Sequence, residues 1–396
     1  MADSVFKRIR RVVTGVDAQG RSCVEFDGLA PKFHENPTGA TRGHTDFWVW
    51  EETPPPLRTD DAGSWPYTFP GPAEGGHLRA VQSRSRPKDL GYSEANDPIR
   101  VDPHPPTMVP TGRRWDRGGR NSYIGDHHKT ETVDYAILLE GERVLGLDDG
   151  EIIWRPGDVV IDVAAWHQWG SPREHGIVLF DMISAKFVDG PQGLVQGNHK
   201  PMVGDKNMKL PAGVKPTRRI VVADREPGKS CLISDGPSPD MRYDPARPGF
   251  AATRLWVTDT HPAQILGETL HLPHNLLPPK NGTVCRVYTI PPDSTWKGKA
   301  GEAEVKAYFT AIGAPQASTY AKAAPSPYMQ KTRTLDFCVV IHGEVTLVLD
   351  TAEVKLKQGD VVIQRGTNHA WSNTSGEPAV VAVNSHDARD GEPQHK

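Results

Sequence analysis

Short apolar segments separated by turn residues recur along most of the chain. Each is four to six residues long and rich in Val, Ile and Leu, which is typical of strands and too short for helices. The clearest segments of the first half are Ala136 to Leu139, Arg143 to Leu147, Glu151 to Trp154 and Asp158 to Val163. Those of the second half are Cys338 to Ile341, Thr346 to Asp350, Glu353 to Leu356 and Asp360 to Gln364.

Turns that can close hairpins lie between these segments, at Glu140-Gly141 and at Asp148-Asp149-Gly150. The 38 glycines and 36 prolines interrupt helical periodicity almost everywhere. Only the stretch from Gly301 to Ile312, in which Ala, Glu and Lys alternate, predicts a helix. The pattern therefore predicts an all-β fold.

The chain contains the same sequence pattern twice. Arg10 to Val13 reappears 208 positions later as Arg218 to Val221, and Thr132 to Tyr135 reappears 202 positions later as Thr334 to Phe337. Matching order and spacing over roughly 190 residues indicate two copies of one domain. A side chain that is present in one copy and absent from the other is therefore informative about function.

Two domains of about 200 residues each suit a chain of 396 residues. We expect an N-terminal domain at residues 1–205 and a C-terminal domain at 206–396, with the Gly- and Pro-rich stretch 190–216 as the linker. Residues 34–123 are rich in Pro, Gly and Arg, and we expect a long loop insertion there. Such an insertion either covers a binding site or is simply solvated.

Charge and composition favour small-molecule partners. The net charge is −3, and Lys and Arg are scattered, so no nucleic-acid-binding or membrane-binding stripe is present. No apolar run is long enough for a signal peptide or a spanning helix, and we expect a cytoplasmic protein without a membrane partner. Cys23 and Cys231 occupy equivalent core-like positions, which fits a reducing compartment better than a disulfide framework. Exposed strand edges lead us to expect a homodimer.

The C-terminal part of each copy resembles the cupin superfamily. One cupin motif runs as Gly, five residues, Pro-x-Gly, two residues, His, three residues, Asn. The stretch from Gly359 to Asn373 fits this motif with one residue fewer before Gln364, which replaces the proline, and it places His369 at the histidine. In the first copy, Gly157 opens the same segment and His167 takes the histidine place.

The first copy departs from that motif at three positions, where Pro, Gly and Asn are replaced by Asp162, Ala164 and Ser171. The other cupin motif runs as Gly, five residues, His-x-His, three or four residues, Glu, six residues, Gly. Counting back from Gly141 and Gly343 places Asp134 and Asp336 at its glutamate.

The same counting places His128 and Thr130 at the His-x-His positions of the first copy. In the second copy, Gln330 and Thr332 stand there. One motif histidine is therefore lost from the first copy, and both are lost from the second.

The resemblance is strongest to small single-domain cupin proteins found in bacteria and in fungal biosynthetic clusters. It rests on the Arg-Arg openings, on Leu255-Trp256 and on the run from Thr334 to Trp371. It implies a bicupin, that is, two tandem cupin barrels of the double-stranded β-helix or jelly-roll type. Because cupins include oxygenases, lyases, isomerases, cyclases and inert binding proteins, the fold does not name the reaction.

In the first copy the resemblance implies one divalent metal held by His128, Asp134 and His167. Two imidazoles and a carboxylate are the ligand set of many non-haem Fe(II) sites, although Zn or Mn is an alternative. His127 replaces His128 if the strand register slips. In the second copy, Gln330, Asp336 and His369 make a weak site at best, so we expect one competent barrel and one retired barrel.

Other side chains near these positions are candidates for a substrate pocket. Trp166 and Trp169 flank His167, and Trp371 follows His369; aromatic walls suit a planar substrate, but a barrel core explains them equally well. Arg79 either reaches a substrate carboxylate or is a buried structural arginine. Thr130 is a candidate hydroxyl in the catalytic site.

Three functions remain open from the sequence. The preferred hypothesis is metal-dependent, oxygenase-type chemistry in the first barrel on a small aromatic or polyketide-like molecule from secondary metabolism. The first alternative is a metal-free or Lewis-acid lyase, isomerase or cyclase, with histidine and aspartate as acid and base and no cofactor required. The second alternative is a non-catalytic protein that binds a small molecule.

Overall fold

The computed structural model describes residues 6–35, 41–58, 60–85, 101–121, 123–171, 173–188 and 192–391. Strands make up nearly all of its regular structure, and the all-β prediction is confirmed. The one α-helix in these ranges is α1 (Glu302–Ala311), where the sequence predicts it. No helix in them is long and apolar enough to cross a membrane. All four cysteines are free.

The first half of the chain contains fourteen strands in the described ranges, and the predicted segments all lie within strands or meet their ends. They are β1 (Arg10–Val16), β2 (Ser22–Leu29), β3 (Lys32–Glu35), β4 (Arg42–Trp50), β5 (Gly76–Ser83), β6 (Thr107–Met108), β7 (Arg114–Asp116), β8 (His128–Thr130), β9 (Thr132–Gly141), β10 (Arg143–Leu147), β11 (Gly150–Trp154), β12 (Val159–Val163), β13 (Gln168–Gly170) and β14 (Gly176–Ser184).

The second half repeats the pattern with eleven strands in the part that the structure describes. They are β15 (Arg218–Glu226), β16 (Lys229–Pro237), β17 (Asp240–Tyr243), β18 (Ala251–Thr258), β19 (Thr283–Ile290), β20 (Thr334–His342), β21 (Glu344–Leu349), β22 (Glu353–Lys357), β23 (Val361–Arg365), β24 (His369–Ser372) and β25 (Ala379–Asp387).

Each barrel is built from one large and one small sheet. In the first barrel an eight-stranded sheet with the order β16-β15-β12-β9-β14-β5-β4-β3 faces a three-stranded sheet with the order β11-β10-β13. In the second barrel the orders are β17-β18-β19-β25-β20-β23-β1-β2 and β22-β21-β24. Two sheets that enclose one interior form the jelly-roll barrel that the sequence predicts.

The two repeats exchange their first hairpins. β1 pairs in parallel with β23 of the second repeat, with Val12 opposite Val362. β15 pairs in parallel with β12 of the first repeat, with Ile220 opposite Val160. Each large sheet is therefore completed by residues from the other side of the predicted 205/206 boundary, so that the two barrels are structurally interdependent.

The two large sheets also pack against each other through their outer faces. Because side chains alternate along a strand, Val133, Tyr135 and Ile137 of β9 enter this shared core, whereas Asp134 and Ala136 face the interior of the first barrel. The shared core is the largest group of packed apolar side chains among the described residues and includes β20, β23 and β19 from the second repeat. One strand thus presents apolar groups to the barrel interface and a carboxyl group to the barrel interior.

Residues 34–123 are not a loop throughout, in contrast to the expectation from the sequence. They include β4 and β5, which are neighbours in the first large sheet, and the short strands β6 and β7. The Pro- and Gly-rich composition belongs to the connections, whereas β4 and β5 carry polar residues among apolar ones, as strands that line a barrel do. Residues 36–40 and 86–100 lie outside the described residues.

Aromatic side chains fill the interior of the second barrel. Phe250, Tyr288 and Tyr308 pack together, with the Phe250 and Tyr308 rings 5.4 Å apart. α1 supplies Tyr308 and Phe309 to this cluster. The cavity that remains beside them has a volume of only about 10 Å³, compared with about 300 Å³ in the first barrel. The structure therefore shows barrels with cavities of unequal volume, while the expectation of one competent and one retired barrel stays a prediction.

Candidate active site in the first barrel

The interior of the first barrel holds a cavity of about 300 Å³. This volume lies at the lower end of the range of about 300–1,000 Å³ that ligand pockets occupy. Five of the residues that the sequence predicts for a site line it, namely Arg79, His128, Asp134, His167 and Trp169. They come from β5, β8, β9, β13 and the connection that precedes β13, so the barrel brings together positions that are distant in sequence.

His167 lines this cavity directly before β13 and is 2% exposed. Its Nδ1 donates to the Ala165 carbonyl oxygen at 2.9 Å and lies 2.7 Å from Asp162 Oδ2. Burial disfavours a charge on the ring, but the adjacent Asp162 carboxylate outweighs burial and raises the pKa of His167 above 6.5. The surroundings of His167 therefore favour its protonated form.

His128 faces His167 across the same cavity. Their ring centroids are 4.3 Å apart with the planes at 60°, and their backbones form a mutual bridge. His128 Nδ1 donates to the Asp126 carbonyl oxygen at 2.8 Å. Burial, and then the charge of His167, hold the pKa of His128 well below 6.5. Two adjacent imidazoles thus prefer opposite protonation states.

Asp134 and Asp162 are cross-strand neighbours on β9 and β12. Burial, and then the charge of Asp162, hold the pKa of Asp134 well above 3.8, which favours its protonated form. Its Oδ1 is buried without a hydrogen-bond partner among the described residues. Asp162 is thus the carboxylate beside His167, and Asp134 presents a buried carboxyl group that can hydrogen-bond to a bound molecule.

A metal ion does not fit this arrangement well. In the part of the chain that the structure describes, no three His, Cys, Asp or Glu side chains are placed to hold a metal ion. The predicted ligands His128, Asp134 and His167 share the cavity, but Asp134 is next to a second carboxylate and His167 is next to its own counterion. The metal site stays a prediction that this geometry does not favour.

Four arginines surround these groups and make the cavity electropositive. They are Arg42, Arg79, Arg114 and Arg143. His44, which also lines the cavity, responds to this field: burial, and then Arg79, lower its pKa to about 3. Arg79 and Arg114 lie beside carboxylates, so the positive charge that the cavity presents to a bound molecule comes mainly from Arg42 and Arg143.

The remaining wall of the cavity is apolar. It consists of Phe69, Val81, Trp169, Phe180 and Met182. Trp169 is central to this wall, because its ring lies 5.1 Å from the His167 ring and 5.4 Å from the Phe180 ring. A planar apolar group can therefore lie against this wall, while polar groups face the arginines.

Two predicted site residues of the first copy do not line the cavity. Thr130 shares a hydrogen bond of 2.7 Å with Thr132. Trp166 is 3% exposed and packs beneath Arg117, whose guanidinium carbon lies 4.6 Å from its ring. His127, the register alternative to His128, accepts a hydrogen bond from Arg117 and also lies outside the lining.

The four predicted pocket residues of the second copy lie in the filled barrel. Gln330 Nε2 donates to His369 Nε2 at 3.1 Å, while His369 Nδ1 donates to the Thr367 carbonyl oxygen at 2.9 Å. Burial lowers the pKa of His369 and raises that of Asp336. Trp371 is half-buried, with its ring 6.2 Å from that of His369. Both nitrogens of His369 thus have hydrogen-bond partners, and burial favours its neutral form.

Sequence reasoning missed Arg42, His44 and Arg143, which line the first cavity, and the role of Asp162, which lies beside His167. Arg42 and His44 alternate on β4, a pattern of inward-facing residues, but the composition of the whole region favours a loop. Arg143 is on the same face of β10 as Leu145 and Leu147, which are in the barrel core. The motif comparison gives Asp162 only as a replacement for a proline.

Comparisons with known proteins agree with the fold. A family model described as a cupin domain matches residues 318–384, which lie in the second repeat. A segment of 48 residues is 54% identical to the phomopsin biosynthesis cluster protein C' of Diaporthe leptostromiformis, covering 12% of this chain and 25% of that protein. Another segment, of 49 residues, is 43% identical to the cupin-domain-containing oxidoreductase virC of Hypocrea virens, covering 12% of this chain and 25% of that protein.

The chain spans about a quarter of the length of these relatives. Among solved structures, it is similar to a putative glyoxylate-induced protein from Pseudomonas aeruginosa, with a TM-score of 0.39 and 10% identity over 92% of this chain and 87% of that one. The matched cupin domain lies in the second repeat, and the first repeat has the same strand order.

Proposed function

We propose that the first barrel is the active site of an enzyme that moves protons on a small organic molecule. The observation that carries this proposal is the His128–His167 pair. The His167 ring lies 2.7 Å from the Asp162 carboxylate, whereas the His128 ring bonds only to a backbone carbonyl, and both rings line one cavity. Groups whose surroundings favour opposite protonation states are a recurrent arrangement for an acid and a base.

The roles follow from what each ring contacts. His167 is the general acid, because Asp162 stabilises its protonated form. His128 is the general base, because it is neutral and its Nδ1 is fixed by the Asp126 carbonyl oxygen, which leaves Nε2 to accept a proton. In one turnover His128 takes a proton from the substrate and His167 gives one to it. Transfer of a proton from His128 back to His167, whose ring centroids are 4.3 Å apart, then restores both rings, so no proton is gained or lost overall.

Asp134 supports this chemistry as a hydrogen-bond donor. Its protonated carboxyl group is buried and has an oxygen without a partner among the described residues, so it can bind a carbonyl or hydroxyl oxygen of the substrate. The proton balance suits an isomerisation, a dehydration or a ring closure. Reactions of this kind need no oxidant and no cofactor.

Metal-dependent oxygenase chemistry is the competing proposal. It is favoured by the similarity to a cupin-domain-containing oxidoreductase of Hypocrea virens. It is also favoured by the two imidazoles, whose Nδ1 atoms bond to backbone carbonyls as those of metal-ligating histidines do. If bound, an Fe(II) ion would supply dioxygen activation. It is disfavoured because the described residues offer no third converging ligand and because four arginines surround the cavity.

Untargeted mass spectrometry separates these proposals. The protein, dialysed against a chelator, is incubated with an extract of the cells that produce it, and compounds that change are identified. We expect a product that has lost water or has an unchanged mass. Conversion should be lost in His167→Gln and retained in His369→Gln, the matched change in the second barrel.

Three outcomes would contradict the acid–base proposal. A product that has gained oxygen, and whose formation needs added Fe(II), would support the oxygenase. Conversion that depends on His369 rather than on His167 would place the site in the other barrel. A compound that is retained by the protein but never changed would identify a binding protein.

A further inference from the structure

The charges of the first cavity do not balance. Arg79 is paired with Asp46, with 2.7 Å between Nε and Oδ1, and its guanidinium stacks on Tyr67. Arg114 lies within 3.3 Å of Asp116 and 3.8 Å of Asp126. The other two arginines of the cavity, Arg42 and Arg143, have no carboxylate within 4.0 Å among the described residues.

Arg143 is 2% exposed. Its Nη1 donates to Ser171 Oγ at 2.7 Å, and its Nε has no hydrogen-bond partner in the described ranges. A neutral hydroxyl does not neutralise a buried guanidinium, and burying an unpaired charge is costly. The site is thus incomplete without an anion.

Arg42 is the second cation without a close counterion. Its guanidinium packs beside Gly125, and the Asp126 carboxylate acts on it only from beyond ion-pair distance. Burial lowers the pKa of Arg42, while burial and the charge of Arg42 lower that of Arg143. The charge of Arg42 thus destabilises that of Arg143, and one anion placed between the two guanidiniums would stabilise both.

The second barrel shows what this position contains when no such cavity is present. Strand register equates His44 with Ala252, and therefore Arg42 with Phe250 two residues earlier. It also equates Arg143 with Val345, because these residues pair with Trp154 and Leu356 at matching places. In the filled barrel each of these three polar residues is replaced by an apolar one, whereas Arg79 is retained as Arg286.

The fold therefore does not need a cation at these positions, because the arginines are present in the barrel that has the cavity and absent from the barrel that is filled. We propose that Arg42 and Arg143 form an anion subsite that binds the carboxylate of the substrate, which is a small organic acid. Guanidinium groups match a planar carboxylate through paired N–H donors. The carboxylate at this end orients the rest of the molecule against Trp169 and Phe180 and beside the two histidines.

This inference deepens the proposed function and rests on the first cavity being the substrate site. Binding can nevertheless be measured without any turnover. Isothermal titration calorimetry with three probes of the same ring size tests it: benzoate, the neutral benzamide, and phenylphosphonate as the source of a different anion. We expect benzoate to bind and benzamide not to bind detectably.

Variants then assign the binding to these side chains. Arg143→Val and Arg42→Phe introduce the residues of the second barrel, and each should weaken benzoate binding at least about tenfold through loss of a charge-assisted hydrogen bond. Arg143→Lys, which keeps the charge, should retain part of the affinity. Arg155→Gln removes an exposed arginine that bonds to Glu142 outside the cavity and should bind benzoate as the unaltered protein does. Circular dichroism verifies that each variant is folded.

The proposal is overturned if benzamide binds as well as benzoate, if only phenylphosphonate binds, if no probe binds, or if folded Arg42→Phe and Arg143→Val keep full affinity for benzoate. Failure of the acid–base mechanism gives a different result. In that case benzoate still binds and binding still depends on the two arginines, but the His167→Gln variant converts the substrate to the same extent as the unaltered protein.

Discussion

Replacing the buried Arg143 with methionine should stabilise the ligand-free protein. Arg143 is 2% exposed, and its one hydrogen bond among the described residues goes to a neutral hydroxyl. Methionine fills a similar volume with apolar atoms and removes the charge. An arginine retained for binding, rather than for the fold, should be removable with a gain in stability.

The magnitude follows from the pKa and from the one hydrogen bond that is lost. The pKa of Arg143 falls from 12.5 to about 9, mainly because of burial. At about 1.36 kcal/mol per pKa unit, folding disfavours the charged form by about 5 kcal/mol. The hydrogen bond to Ser171 offsets about 1.5–3 kcal/mol of this, since its donor is charged. The net gain in the free energy of unfolding is then about 2–3 kcal/mol.

Urea denaturation near neutral pH, followed by tryptophan fluorescence, measures this difference. Arg219→Met is the matched control, because Arg219 is equally buried but forms two hydrogen bonds, of 3.0 and 2.7 Å, to Glu268. That substitution leaves a buried carboxylate without its partner and should destabilise by about 3–5 kcal/mol. If Arg143→Met destabilises the protein as Arg219→Met does, Arg143 is structural, and our explanation of the cavity is refuted.

Three further predictions concern the surroundings of the site. Asp162→Asn should lower the pKa of His167, which NMR titration of the imidazole protons measures; an unchanged pKa would show that Asp162 does not hold the proton. Because the pKa of His44 is lowered to about 3, its contribution to stability is present above the unfolded-state value of 6.5 and is lost as the pH falls, by about 1 kcal/mol between pH 7 and about pH 5.5. Urea denaturation at these two pH values should show a difference in the free energy of unfolding, and His44→Phe should reduce that difference. An equal difference in the variant and the unaltered protein would contradict this prediction. Lys129→Met removes the partner of the buried Asp224, which lies 2.6 Å away on the exchanged hairpin. The substitution should lower the free energy of unfolding by about 3 kcal/mol. A loss below about 1 kcal/mol would show that the protein does not need this contact between the repeats.

Short apolar segments, the turn residues between them and internal repetition were sufficient to predict most of the fold. The segments around Arg143 to Leu147 and Glu151 to Trp154 have the length and spacing of strands, and they are strands. Spacing within the cupin motifs assigned His128 and His167 to one site, and the structure places them side by side through a backbone bridge, because motif spacing reflects strand register. The equivalence of Gln330 and His128 is visible in the same way, since each forms a backbone bridge to the histidine of its own barrel.

Pairing between distant strands could not be predicted from local patterns. The exchange of β1 and β15 between the barrels depends on contacts between residues about 350 and 60 positions apart, which leave no local signal. The contrast between the cavities likewise depends on where Phe250 and Tyr308 pack. In the sequence, Asp162 stands out as a polar residue in an apolar strand. Its contact with His167, however, is shown only by the structure.

The most direct test of the account is an NMR titration of the imidazole protons of His167 and His369 in one sample, with assignments from the two single His→Gln variants. These histidines are equivalent in the two repeats but differ in their partners, Asp162 in the first barrel and Gln330 in the second. We predict that His167 remains protonated at a pH at which His369 is already neutral. If His369 instead loses its proton at the same pH as His167 or at a higher one, the first barrel does not hold a poised acid, and the assignment of the active site is contradicted.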